Sequence, residues 1–116
     1  MENIENRCGN GVYWSYDQAA ACMTVFGNGK MNNYGDISEL PWKPHINEIR
    51  KIVIEEGVAS VGDWAFSSCE ELTEIHLSGT VATLGVQCFS FCTSLASVVI
   101  PEGVRVIGSK AFRLCT

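Results

Sequence analysis

The stretch FSFCTSLASVVIPEGV, residues 89–104, repeats the beat of FSSCEELTEIHLSGTV, residues 66–81, at an offset of 23. In each, a Phe is followed three positions later by a Cys and, after two spacers, by a Leu that opens an apolar alternation. Extended outward, the offset aligns three segments without gaps: residues 49–71, 72–94 and 95–116. The columns read Ile49/Leu72/Leu95, Ile52/Ile75/Val98, Ile54/Leu77/Ile100, Val58/Val81/Val104, Val61/Leu84/Ile107, Gly62/Gly85/Gly108, Ala65/Cys88/Ala111, Phe66/Phe89/Phe112 and Cys69/Cys92/Cys115. Self-similarity at a fixed short period marks units that stack, each burying its apolar face only against its neighbours.

Each unit translates into local structure. The L-x-x-I-x-L beat is a short strand with alternate side chains buried. The Gly column suits a turn that needs positive φ or close backbone approach. The segment DWAFSSC and its equivalents fit a single helical turn that buries Ala, Phe and Cys on one side. Adjacent coils then lie about 5 Å apart, the spacing of hydrogen-bonded strands. The Cys column reads as stacked, reduced, buried thiols, because a small apolar side chain fits there and same-facing neighbours lack disulfide geometry.

Residues 1–48 read as a cap. VYWSYD and CMTVFG alternate well enough to pair as a hairpin across QAAA, and GNGKMNNYGD reads as a Gly/Asn loop. Tyr13, Trp14, Tyr16, Phe26 and Trp42 supply the area needed to cover an open solenoid end.

The columns resemble the BspA-like (Treponema pallidum type) leucine-rich repeat, and LASVVIPEGVRVIGSKAFRLC matches that unit nearly position for position. The second repeat departs with Ser78 in place of Pro, a shifted Gly79-Thr80 and Cys88 in place of Ala. CGNGVYWSYD, CMTVFGNGKMNNY and LPWKPHINEIRKIVI resemble the family's N-terminal cap. The expected fold is an α/β leucine-rich-repeat solenoid: a short parallel strand ladder with short helical turns, preceded by an N-terminal β-hairpin cap. The resemblance implies a bacterial or parasite surface or secreted protein that adheres to other proteins.

Composition is that of a globular chain, not a disordered one. Apolar residues are 47%, charged residues 18% and the net charge −5, with Arg50-Lys51 the one adjacent basic pair. That argues against nucleic acid as a partner, and no apolar run is long enough for membrane insertion. MENIENRCGNG carries no signal-peptide pattern, which keeps a cytoplasmic location and a fragment of a longer chain open. GNGK, residues 27–30, lacks phosphate-loop spacing. Cys88 and Cys92 have helical i,i+4 spacing, yet zinc needs about four ligands, so no metal, cofactor or catalytic set is expected. Cys8 and Cys22 flank the hairpin and are candidates for a disulfide in an oxidising setting.

Two surfaces remain. The exposed strand face carries the columns Arg50/Thr73/Ala96, Lys51/Glu74/Ser97 and Val53/His76/Val99, a grid suited to an unidentified protein partner. A spacer or capping module, or a small acidic intracellular inhibitor, is the alternative use of the same scaffold. The outer side of the third repeat, with Val98, Ile100, Ile107 and Phe112, has no following unit to cover it, and strand 95–100 presents an open edge. An end-to-end homodimer or a longer repeat array would cover both.

Overall fold

A computed structural model describes residues 6–115; residues 1–5 and Thr116, the extreme ends of the cap and third-repeat ranges, lie outside the described residues. Among the described residues, nine strands form two sheets: β1 Arg7–Gly9, β2 Val12–Asp17, β3 Cys22–Gly27, β4 Gly29–Lys30, β5 Lys51–Ile54, β6 Val58–Val61, β7 Glu74–Leu77, β8 Thr83–Leu84 and β9 Val106–Ile107. One sheet has the order β1-β2-β3-β5-β7, the other β4-β6-β8-β9. The chain alternates between them, so successive repeats wind into a parallel-laddered solenoid.

The hairpin forms as its alternation dictates, with Val12–Asp17 paired antiparallel to Cys22–Gly27. Its second strand then runs parallel to β5, with Met23 opposite Ile52 and Val25 opposite Ile54. Gly29–Lys30, read as part of a Gly/Asn loop, is instead the first rung of the second sheet, pairing with β6. The hairpin strand and β4 therefore make a preliminary coil that repeats the inward beat without the 23-residue spacing. Single 3-10 turns at Ile37–Glu39 and Lys43–His45 follow, and the first is capped by the Asp36 side chain on Ser38 N.

The core is built from the expected columns. Ile49, Ile52, Ile54, Val58, Val61, Phe66 and Cys69 are buried, as are Leu72, Val81, Leu84, Phe89 and Cys92 one coil later. Down its axis runs a ladder of rings. Trp42 stacks on Phe66 at 5.4 Å, Phe66 on Phe89 at 5.6 Å and Phe89 on Phe112 at 5.5 Å. The Pro-Trp segment thus supplies the first rung, and Trp42 Nε1 donates to Ala65 O at 2.8 Å, so its polar edge is satisfied inside the core. Trp14 and Tyr34 meet Trp42 edge-on.

The DWAFSSC segment forms i→i+3 turns, Ala65 N to Gly62 O and Ser67 N to Trp64 O, separated by residues in left-handed backbone. Trp64 and Ser68, Gln87 and Phe91, and Lys110 and Leu114 all have φ between 60 and 69° except Gln87 at 53°. The strain of six non-glycine residues there is offset by a third inter-coil ladder. Trp64, Phe66 and Ser68 N–H groups donate to Val86, Cys88 and Ser90 oxygens, and Gln87, Phe89 and Phe91 donate to Ser109, Ala111 and Arg113. The Gly column is explained by close approach and not by positive φ: a Cβ on Gly62 would sit 1.8 Å from Asn32 O.

One expectation, the third-repeat strand, is corrected, and the bridge left open between Cys8 and Cys22 is not formed. Residues 95–100 keep the alternation, with Leu95 buried and Val99 83% exposed, but join neither sheet, so the strand ladder ends at β7. In the first two repeats Glu55 N and Ser78 N close the strand by donating to Val25 O and Ile54 O; their third counterpart is Pro101, which has no N–H to donate. Cys8 and Cys22 are both free thiols. Register places Cys8 beside the Tyr13 end of β2, whereas Cys22 pairs with Asp17 at the other end. Four residues of extended chain separate the ends by about 13 Å, against the roughly 7 Å limit for bridged Cα atoms.

Candidate functional site

Alternation in the five-stranded sheet sends Val12, Met23, Val25, Ile52, Ile54 and Ile75 into the core and leaves the intervening residues on the opposite face. On that face the parallel registers Lys51–Glu74 and Val53–His76 place the predicted columns side by side. Glu74 joins them into one unit: its Oε2 lies 3.8 Å from Lys51 Nζ and accepts from His76 Nε2. The His76 hydrogen bond, followed by the Lys51 charge, holds the Glu74 carboxyl below the ordinary carboxylate range. All three are solvent-accessible, so the unit is a charged surface feature and not a buried pair.

Of the other predicted contact residues, Arg50 and Thr73 precede their strands and are exposed, with Thr73 Oγ1 donating to Arg50 O at 3.3 Å. Arg50 instead lines a cleft of about 550 Å³ with Tyr16, Asn47, Glu48 and Glu71, beneath the hairpin loop. There Tyr16 stacks on His45 at 4.3 Å and donates its hydroxyl to Glu48. Partial burial and the Glu48 hydrogen bond push the Tyr16 phenol up. Ser97 and Val99 are exposed but lie on the segment that leaves the ladder, so they border the face without belonging to it.

The sheet also extends the face where repeat columns gave no guidance. Because β3 pairs with β5 and β2 with β3, Ser15, Thr24, Val53 and His76 form one continuous row. Asp17, Cys22, Lys51 and Glu74 form the next. Tyr13 and Phe26 lie opposite each other at one end, their rings 6.0 Å apart. The available signal was the Cys22-to-Phe26 alternation, which predicts outward Cys22, Thr24 and Phe26 once β3 is known to border β5.

At the far end, Val98, Ile100 and Phe112 are half-buried and Ile107 is 52% exposed. A hollow of about 210 Å³ is lined there by Leu95, Ala96, Ser97, Val98, Phe112 and Cys115. Leu114, 56% exposed, was not anticipated. The Cys column packs as expected: Cys92 and Cys115 Sγ donate to Phe66 O at 3.3 Å and Phe89 O at 3.1 Å. Among the described residues, no group of three or more His, Cys, Asp or Glu is arranged to hold a metal.

Three solved structures share this architecture. A leucine-rich repeat protein from Eubacterium ventriosum is similar with a TM-score of 0.81 and 25% identity, over 87% of this chain and 27% of its own. A Bacteroides ovatus leucine-rich repeat protein gives 0.61 and 21%, over 95% and 33%. The T. pallidum leucine-rich repeat protein gives 0.57 and 17%, over 84% and 51%. The chain thus spans between about a quarter and a half of their lengths. No curated protein matches the sequence significantly. The family described as "BspA type Leucine rich repeat region (6 copies)" matches residues 44–116, well over half of the chain. Together with the laddered coils and the recurring G-x-x-x-F-x-x-C pattern, that match shows that the chain belongs to the BspA-type leucine-rich-repeat family.

Proposed function

We propose that the protein is a non-catalytic recognition module that binds a protein partner through the outward face of its five-stranded sheet. The observation that carries this reading is the continuity of that face. Cap hairpin and repeats share one sheet, so aromatic, hydroxyl, aliphatic and charged side chains stand in fixed rows from Tyr13 and Phe26 to Glu74 and His76. A rigid grid loses little entropy on binding, and its mixture of aromatic and ionic groups suits protein contact. Family membership extends the proposal to a surface-exposed or secreted adhesin-like role. A second reading, a capping or spacer module of a longer repeat protein, is supported by the greater length of the solved relatives.

The test is retention of a tagged chain on immobilised matrix and cell-surface proteins. Thr24→Glu, Val53→Glu and the Lys51→Glu/His76→Ala pair are compared with the parent after circular dichroism confirms folding. Loss of retention in the three face variants supports the reading. Equal retention by all chains assigns binding to another surface, and no retention by the parent supports the spacer role.

A further inference from the structure

The cleft of about 550 Å³ beneath the hairpin loop has the size of a small-molecule site, for which about 300–1,000 Å³ is usual. Its walls come from three successive levels of the stack: the loop at 18–21, Asn47, Glu48 and Arg50 ahead of β5, and Glu71 ahead of β7. Coils added at either end lengthen the stack along its axis and do not enter a cleft that crosses three levels on its flank. The loop is tied down over it, since Ala20 N donates to Asp17 Oδ1 and Ala21 O accepts from Arg50 N at 2.9 Å.

The cleft brings together an aromatic wall, both signs of charge and neutral amides. Tyr16 is held in place from two sides: His45 stacks on its ring at 4.3 Å, and its hydroxyl donates to Glu48 Oε1 at 3.2 Å. The same Oε1 lies 3.3 Å from His45 Nδ1, which fixes the carboxylate and leaves Glu48 Oε2 unengaged. Arg50 and Glu71 are exposed, and neither side chain has an ion-pair or hydrogen-bond partner among the described residues. The Asn47 amide is exposed and equally unengaged. On the loop side Ala19, Ala20 and Ala21 present methyl groups only, so no long side chain fills the space.

We propose that this cleft is a binding site for a neutral saccharide, separate from the sheet face. Mixed charge disfavours an occupant of either sign: an anion meets Glu48 and Glu71, and a cation meets Arg50. An apolar ligand covers those groups and leaves them unpaired. A sugar needs donors and acceptors at once and carries no charge. Arg50 and the Asn47 amide donate to its ring and hydroxyl oxygens, and Glu48 Oε2 and Glu71 accept from its hydroxyls. The C–H face of the ring lies against Tyr16, whose orientation is set before the ligand arrives.

The experiment titrates the whole chain by calorimetry with maltose, cellobiose, lactose and mannobiose, with diglycine, and with a glycoprotein carrying high-mannose glycans before and after enzymatic deglycosylation. Saturable binding of at least one neutral sugar is expected, with little change on added salt because no ion pair forms. Arg50→Ala and Glu71→Gln are each expected to weaken it about ten-fold or more, through lost hydrogen bonds to charged groups. Arg105→Ala and Glu55→Gln, at exposed positions outside the cleft, are expected to keep the parent affinity. Binding of a free disaccharide supports the site with a soluble sugar as its source. Binding of the glycoprotein alone, lost on deglycosylation and weakened by Arg50→Ala, supports it with a displayed glycan as the source. Binding of no sugar in either form, or unchanged affinity in both cleft variants, overturns the proposal. So does saturable, salt-sensitive binding of diglycine in place of the sugars, since a zwitterion is then the occupant.

Discussion

The ring ladder gives a quantitative test of how this solenoid is held together. Phe89 is fully buried and stacked on both faces, 5.6 Å from Phe66 and 5.5 Å from Phe112. Phe112 occupies the same column one coil later but has one stacked neighbour and is half-buried. Truncating a buried Phe to Ala removes its transfer free energy and leaves a cavity, together about 3–5 kcal/mol. Each coil touches only its neighbours, so the cavity lies between two rungs that cannot collapse without breaking the ladders beside them. Phe112→Ala opens no closed cavity and exposes ring area already half in water, which limits the loss to about 1–2 kcal/mol.

A chain of this length is stable by about 6–17 kcal/mol, so the buried truncation removes a large share. With a urea slope of about 2 kcal/mol/M, Phe89→Ala moves the unfolding midpoint down by about 2 M and Phe112→Ala by less than about 1 M. The assay is urea unfolding followed by tryptophan fluorescence, with Trp42 on the first rung of the same stack as reporter. The slope is expected to stay unchanged, which keeps the comparison two-state. Equal midpoint shifts for the two variants refute the argument, because the ladder is then not the element whose continuity stabilises the coils.

Cysteine accessibility gives an independent check. Cys8, Cys69, Cys88 and Cys92 are buried, and burial pushes the Cys8 thiol up to about 12, whereas Cys22 and Cys115 are half-buried. Because the thiolate is the reactive species, native iodoacetamide labelling read by mass spectrometry should modify Cys22 first, and Cys115, raised by partial burial, more slowly. The four buried thiols should label only after denaturation; rapid native labelling of Cys69 or Cys92 contradicts the packed column. The Glu74 unit predicts a pH dependence. Its carboxyl is depressed in the folded chain, so its contribution is present above the ordinary glutamate range and lost as pH falls through the lower folded value. His76→Ala removes the largest cause, and carboxyl NMR titration should then show the Glu74 value rise; an unchanged titration sinks the coupling.

How much of this was legible in the sequence follows from what a period can encode. Inward columns recur because each rung packs on its own kind, so the core of the first two repeats could be read from the columns before any coordinates. Strand alternation likewise placed Lys51, Glu74 and His76 together on the opposite face. The preliminary coil was hidden because β3 pairs with β5 at an offset of 29, and β4 with β6 at 29 and then 30, outside the repeat period. Thr24 and Phe26 could not be assigned to the binding face until that pairing was known. The left-handed column at Trp64, Gln87 and Lys110 holds three unrelated side chains and leaves no compositional trace. Pro101 was visible, but its cost depends on Ser78 N and Glu55 N being ladder donors, which only the hydrogen bonds reveal.

The repeat itself separates scaffold from function. Interior columns keep their chemistry along the stack because a mismatch leaves either a cavity or an unpaired polar atom between two rungs. Columns free of that constraint change freely: Lys51, Glu74 and Ser97 share one, Val53, His76 and Val99 another. The Ser67/Ser90/Arg113 column is the informative exception, since it obeys the interior rule for two coils and breaks it at the third. A guanidinium there would be costly beneath an apolar coil and is favourable beneath an acidic one.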